Sequence, residues 1–307
     1  MAWRQVLEVQ DLLEQATVDG ARIAGLLRAA GLDDVEVTHV EGSSGATDFV
    51  RAVVHGVAGR LAGGDAPTLG IVGRLGGVGA RPARQGLVSD GDGALATLAC
   101  ALRLAVFQAG GDRLAGDVIL ATHVCPTALV RPHDPVPYMV SPVGQTVMNE
   151  HEVDPAMEAL LCFDTTRGNR LVNRRGFAIT PTVRQGYILR VSEDLLDLMQ
   201  DVTGRLPQVL PITTQDITPY DSGVYHLNSL LQPSTATAAP VVGVALTAEA
   251  AVAGSATGAS QTVDVEEAVR FGVEVAKAYG SGACHFFDVE EWGRLVARYG
   301  ALSHLQR

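Results

Sequence analysis

The chain has 307 residues, 47% of them hydrophobic and 19% charged, a composition that can fill a core and is not typical of intrinsic disorder. Its formal net charge is −11 and no basic run is interleaved with aromatic residues, so we expect neither nucleic acid nor an anionic membrane surface as a partner. The four cysteines form no CxxC pair, which argues against a disulfide framework and a cysteine zinc site.

The amino-terminal residues have neither the basic flank nor the apolar stretch of a signal peptide, and no window of about 18 uncharged apolar residues occurs. We therefore expect a cytoplasmic protein without a membrane span. The length fits a single α/β domain over residues 1–307.

The apolar pattern alternates between helices and strands along the first half of the chain. Val6 to Ala30 has helical spacing interrupted near Asp19, Val35 to Val40 alternates as a strand does, and Phe49 to Val57 predicts a short helix. Short continuous apolar runs predict buried strands over residues 68–73, 117–122 and 159–163. A longer apolar run predicts a helix over residues 94–106. Unbroken apolar strands are typical of a parallel sheet that is covered on both faces.

The second half continues the alternation. Ser192 is placed to cap a helix, segments 209–212 and 240–246 predict strands, and segments 264–277 and 288–299 predict two closing helices. The predicted fold class is α/β, with a mostly parallel central sheet and helices on both faces. Five prolines between residues 126 and 142 predict a long ordered loop or lid after a strand.

Polar residues follow several of the predicted strands. In an open α/β sheet the ligand site lies beyond the carboxyl ends of the parallel strands. The residues found there are His123 and Cys125, Asp164, and the later Asp221 and His226. An Asp or Thr in such a position also caps helices, so a purely structural role is the alternative for each carboxylate.

Asp90 and Asp92 lie on a glycine-rich turn that opens an apolar helix. Carboxylates in this position either bridge metal ions or cap the helix. Both interpretations remain open from these residues alone.

These segments resemble the zinc-dependent exopeptidases, the di-zinc aminopeptidase and carboxypeptidase superfamily. In that family an Asp between a glycine turn and a helix bridges two zinc ions, as Asp90 or Asp92 would here, and a strand-end Asp that matches Asp164 binds one of them. Segments 220–227, 240–246 and 263–269 are similar to later family elements, and the resemblance covers residues 65 to 280 in order. It implies an exopeptidase-like fold, frequent self-association and hence a homo-oligomer.

Three family metal ligands are missing from their expected places. Arg74 lies where the family has a His-x-Asp triplet, and His123 lies where paired glutamates should follow a strand. The segment 254–260 contains no imidazole where the family's last His ligand should be. Two carboxylates out of five ligands do not suffice for the standard di-zinc pair.

The remaining candidates allow several reduced sites. His123, Asp164 and Asp90 or Asp92 form one potential site for a single divalent metal ion, namely zinc, manganese or cobalt, with His123 and Asp164 as the catalytic pair. Arg74 alternatively supplies a fixed cation in place of metal, and we favour either Arg74 or a single weakly bound metal ion over two zinc ions. Cys125 with His123 as its base is a further alternative.

Two functions follow from these alternatives. The first is a divergent exopeptidase-like hydrolase that acts on an amide bond of a small peptide or acyl-amino acid with a reduced or absent metal centre. The second is a non-catalytic, metal-free member of the fold that binds a peptide-like or amino-acid-like ligand. The predicted substrate-binding residues are Arg74, Asp221, His226 and His133.

Overall fold

The structure, a computed structural model, describes residues 1–74, 76, 87–132, 138–166, 171–212, 229–249 and 260–306. Its α-helices are α1 (Trp3–Leu13), α2 (Gly20–Ala29), α3 (Asp92–Ala109), α4 (Gln145–Glu152), α5 (Glu193–Thr203), α6 (Thr262–Gly280) and α7 (Val289–Tyr299). Its strands are β1 (Val35–Gly42), β2 (Gly45–Val54), β3 (Leu69–Gly73), β4 (Val118–Val124), β5 (Leu129–Arg131), β6 (Tyr138–Val140), β7 (Ala159–Thr165), β8 (Phe177–Ile179), β9 (Val183–Arg184), β10 (Tyr187–Ile188) and β11 (Val241–Leu246). Short 3-10 helices lie at Arg60–Ala62, Ser89–Gly91, Ser229–Thr235 and Ser303–Leu305.

The central sheet is mixed, with parallel strands in its middle. Within the described ranges the strand order is β1-β2-β4-β3-β7-β11-β9-β10, and β8 also pairs with β11. The neighbours β4, β3, β7 and β11 run parallel, whereas β1 and β2 on one side and β8 and β9 on the other run antiparallel to their neighbours. The predicted strands near residues 68, 117 and 159 therefore form the parallel centre, but the sheet as a whole is less parallel than the sequence suggests.

Every residue of β3, β4, β7 and β11 is buried, because both faces of the sheet are covered. One face packs against α2, α3 and α6, with α1 lying on α3 and α6, and the other face packs against α4 and the 3-10 helix Ser229–Thr235. Gly272 permits the close approach of α6, since a Cβ added there would lie 3.0 Å from the Phe163 ring and 3.1 Å from Cys100 Sγ. The helical cover predicted for both faces is present, though much thicker on one face.

Three helices begin at side-chain caps. Asp19 accepts a hydrogen bond from the Arg22 amide at the start of α2, Ser192 from the Leu195 amide at α5, and Asp288 from the Glu291 amide at α7. Each cap satisfies one of the amides that the first helical turn leaves without a partner. The cap at Asp19 also explains why the helical pattern from Val6 to Ala30 forms two helices.

The helix predicted over Phe49 to Val57 is wrong, because residues 49–54 lie in strand β2 and residues 55–57 follow it outside any helix. Residues 48–54 pair antiparallel with β4 over their whole length, and residues 45–52 pair with β1. Pairing on both sides satisfies the backbone of β2, and Val50, Val53 and Val54 suit a pleated, buried surface. Tertiary pairing thus overrides a short apolar pattern that was compatible with either structure.

Two further differences concern short segments. The proline-rich segment 126–142 contains the antiparallel pair β5–β6 rather than loop alone. The predicted strand 209–212 is reduced to one bridge between Val209 and Ile179. Pro211 lacks an amide donor, which limits how far such a pairing extends.

The segment Ser89–Ala109 is long and apolar enough to cross a membrane, by length and composition only. In the structure 72% of the most apolar 18-residue stretch of this segment is buried against the rest of the protein. Packing of α3 between the sheet, α1 and α6 accounts for this apolarity.

Candidate functional site at the carboxyl edge of the parallel strands

Three predicted site residues meet at one edge of the sheet. Gly73 pairs with Thr122 on one side and with Phe163 on the other, so the next residues of β3, β4 and β7 are Arg74, His123 and Asp164, side by side. The Arg74 amide donates to the Phe163 carbonyl at 2.8 Å, which continues the register. Because residues in register point to the same face of a sheet, the three side chains project on the side covered by α4.

Arg74 is a buried cation that contacts one neutral and one acidic side chain. Its side chain is 1% exposed, its Nη2 donates to Asn149 Oδ1, and its Nη1 lies 3.3 Å from Glu152 Oε2. Two of its nitrogens, Nε and Nη1, have no hydrogen-bond partner with acceptable geometry in the described part of the chain. The guanidinium therefore neutralises Glu152 while retaining donors that it does not use.

His123 is fully buried, and both of its ring nitrogens are engaged. Nδ1 lies 2.6 Å from Glu152 Oε1, and Nε2 accepts the Gly76 amide at 3.2 Å. A backbone amide only donates, so Nε2 carries the lone pair and Nδ1 carries the proton that Glu152 accepts. In this arrangement His123 offers no free nitrogen to a metal ion or to a substrate proton.

Sequence reasoning missed Glu152, which connects the other two residues. It is the last residue of α4 and is 0% exposed; its Oε1 is hydrogen-bonded to His123, whereas its Oε2 forms an ion pair with Arg74 without a hydrogen bond of acceptable geometry in the described part of the chain. No motif marks Glu152; the only weak signal is that Asn149 and Glu152 are three residues apart and so share a helix face. Asn149 in turn contacts Thr235 and the Gln232 carbonyl, which ties the cluster to the 3-10 helix.

The three predicted carboxylates of the metal site are buried, each with a hydrogen-bond donor. Asp90 Oδ2 accepts the Met139 amide of β6 at 2.8 Å, Asp92 accepts the Ser260 hydroxyl, and Asp164 Oδ1 accepts the Thr165 amide at 2.7 Å. Asp90 therefore anchors part of the proline-rich segment. None of the three is more than 1% exposed.

The start of α3 lies directly on the ends of β3 and β7. A Cβ added at Gly93 would lie 2.6 Å from the carbonyl oxygens of both Arg74 and Phe163. Only a glycine permits this approach, which brings the turn with Asp90 and Asp92 to the edge that carries Asp164.

The described residues do not supply the ligands of a metal centre. No group of three or more His, Cys, Asp or Glu residues within those ranges is arranged to hold a metal ion. Asp221, His226 and His133, which the sequence suggests as substrate-binding residues, lie outside the described residues. The standard di-zinc pair does not fit the described site, since Arg74 and the engaged His123 occupy the places of family ligands.

The four cysteines are buried, and none has the environment of a nucleophile. Burial raises the pKa of Cys125, and it raises the pKa of Cys284 to about 12. Cys125 Sγ lies 3.6 Å from Thr127 Oγ1, and His123 is already engaged on both nitrogens.

We expect all four thiols of the native chain to resist a chromogenic disulfide reagent at about pH 8, because a buried thiol with a raised pKa forms little thiolate. Unfolding in guanidinium should expose all four to the reagent. A fast-reacting thiol in the native chain that disappears in Cys125→Ser would contradict this prediction and would restore Cys125 as a nucleophile.

Solved structures of one bacterial protein are similar to this chain. Two structures of LapA from Legionella pneumophila, one described as an aminopeptidase, match with TM-scores of 0.48 and 0.47 at 12% identity. The matches cover 94% and 92% of this chain and 71% and 72% of the LapA chains.

Sequence comparison gives one family match. The family model described as a protein of unknown function, DUF1177, matches residues 38–307. No curated protein is detectably similar to the chain.

Proposed function

The chain belongs to the DUF1177 family, whose function is unknown, and we propose that it binds a small amino-acid-like or peptide-like ligand at the carboxyl edge of its parallel strands, without a di-zinc centre. The observation that carries this proposal is Arg74, a buried guanidinium among carboxylates at the end of β3. A guanidinium supplies a fixed positive charge and needs no metal ligands.

The polar cluster favours a rigid binding site over a metal site. Glu152 Oε1 is hydrogen-bonded to His123 and Oε2 forms an ion pair with Arg74, so the imidazole and Oε1 are not available as metal ligands. Groups that are already oriented by buried hydrogen bonds do not need to be ordered when a ligand binds. Such preorganisation is useful to a binding site whether or not turnover follows.

The charges at this edge suit a ligand that carries both an ammonium group and a carboxylate. Asp92 and Asp164, each of which accepts a hydrogen bond within the protein, are acidic side chains at this edge, and acidic side chains favour an ammonium group over an anion. Arg74 has guanidinium donors without hydrogen-bond partners, and a carboxylate is the natural acceptor for them. An amino acid or a short peptide carries both groups.

The second candidate is hydrolysis of an amide bond in a small peptide or acyl-amino acid with one divalent metal ion. Its support is that Asp90, Asp92 and Asp164 are buried near one sheet edge, since carboxylate oxygens are common ligands of divalent metal ions. The described residues do not complete a ligand set for this ion, which would need Asp221, His226 or His133 as well.

Calorimetric titration of the chelator-treated full chain with glycyl-leucine and with leucine tests the two candidates. We expect saturable binding of at least one probe without metal, weakened at least about tenfold by Asp164→Asn, since a neutral amide loses the attraction to an ammonium group. Asp11→Asn, which changes an exposed carboxylate of α1, is the matched control and should bind as the unaltered chain does.

Two results would overturn the binding proposal. One is the absence of saturable binding for both probes at millimolar concentration. The other is stoichiometric uptake of zinc, manganese or cobalt together with release of free leucine from glycyl-leucine, which would favour the hydrolase instead.

A further inference from the structure

A cavity of about 500 Å³ lies among helices on the thicker face of the sheet. It is formed by the start of the chain, the second half of α3, the end of α5 and the middle of α6. Arg103 lies eleven residues after the start of α3, so the cavity is about 16 Å along that helix from the proposed ligand site. The two sites share no residue.

The cavity has three cations, and two of them are already paired. Arg270 Nε lies 2.9 Å from Glu266 Oε2, and Lys277 Nζ lies 2.8 Å from Glu274 Oε1. Arg103 forms no ion pair with any carboxylate of the described chain, although it is only partly exposed. Asp201 also lines the cavity but forms no ion pair with Arg103, so within the described residues this guanidinium lacks a carboxylate partner.

Two of these cations lie close to one aromatic ring. The Arg103 guanidinium carbon is 4.1 Å from the centroid of the Phe107 ring, and Lys277 Nζ is 4.8 Å from the same centroid. The ring attracts each cation through its quadrupole, but the cations repel one another. Lys277 already has Glu274 beside it, so Arg103 is the cation for which an anionic ligand would supply a missing partner.

The rest of the lining consists of the acidic residues Asp201 and Glu274 and a set of apolar residues. The apolar residues are Met1, Ala2, Phe107, Leu198, Val202 and Val273. A volume of this size is within the range of cavities that hold small molecules, which combine an apolar wall with a few polar groups. A ligand that matches this wall would carry an apolar body and one anionic group.

We propose that this cavity binds a small organic carboxylate, with its carboxylate on Arg103 and its apolar body against Phe107, Leu198 and Val202. The guanidinium fork matches a carboxylate through two parallel hydrogen bonds. Burial of the apolar body supplies the remaining affinity. This binding is independent of the function proposed above.

Calorimetric titration with 3-phenylpropionate tests the proposal on the full chain. We expect saturable binding, no saturable binding of the uncharged 3-phenylpropanol, and a loss of at least about tenfold in affinity for Arg103→Gln. Arg103→Lys, which keeps the charge, should retain part of the affinity. Arg113→Gln is the matched control, because Arg113 is exposed and does not line the cavity.

Asp164→Asn separates this site from the proposed ligand site and should leave 3-phenylpropionate binding unchanged. The proposal is overturned if the alcohol binds as tightly as the acid, if inorganic phosphate displaces the acid at equal concentration, or if Arg103→Gln binds the acid as the unaltered chain does. A folded Arg103→Gln chain, shown by its thermal unfolding, is required for the last comparison.

Discussion

Replacement of Arg74 by methionine is expected to lower the free energy of unfolding by about 3–5 kcal/mol, since it leaves Glu152 as a buried and uncompensated charge. Arg74 and Glu152 are 1% and 0% exposed, so water cannot screen the remaining carboxylate. Urea denaturation monitored by circular dichroism measures the change.

A double variant separates the charge from the packing. Arg74→Met combined with Glu152→Gln removes both charges, so we expect it to recover at least half of the stability that Arg74→Met loses. Arg294→Gln is the control: Arg294 and Glu290 on α7 are 69% and 87% exposed, and breaking such a pair should have no measurable effect. Equal losses for Arg74→Met and Arg294→Gln would show that the buried pair does not stabilise the fold as the structure implies.

Gly76→Ala is expected to cost about 3 kcal/mol or more, or to prevent folding, because a methyl group at this position would overlap with the His123 carbonyl. The backbone cannot easily move away. The Gly76 amide donates to His123 Nε2, and the Gly76 carbonyl accepts the Cys125 amide at 3.0 Å. Thermal and urea unfolding of the variant measure the loss.

Gly293→Ala provides the matched glycine control. Gly293 lies inside α7, and a Cβ added there would meet nothing within 4 Å. Alanine in a helix interior is favoured over glycine by about 0.5–1 kcal/mol, so this variant should be slightly more stable than the unaltered chain. If both glycine variants changed stability alike, the close approach of residue 76 to β4 would be refuted.

The sequence predicts the centre of the fold because that part depends on local patterns. Strands β3, β4, β7 and β11 appear as unbroken apolar runs, and α5, α6 and α7 follow from helical spacing and from caps such as Ser192 and Asp288. Strand β2 was misassigned because a run of apolar and β-branched residues is compatible with a short helix or a strand. Pairing with β1 and β4, which no local pattern reveals, makes this segment a strand.

The sequence by itself placed Arg74, His123 and Asp164 at one sheet edge, because parallel strands bring their carboxyl ends together. Only the tertiary structure showed what these residues contact. Glu152 comes from α4, 29 residues beyond His123, and its hydrogen bond fixes the imidazole tautomer. Burial and partners from distant segments determine whether a polar side chain is open to a ligand or is engaged within the fold, and neither is encoded in the residues next to it.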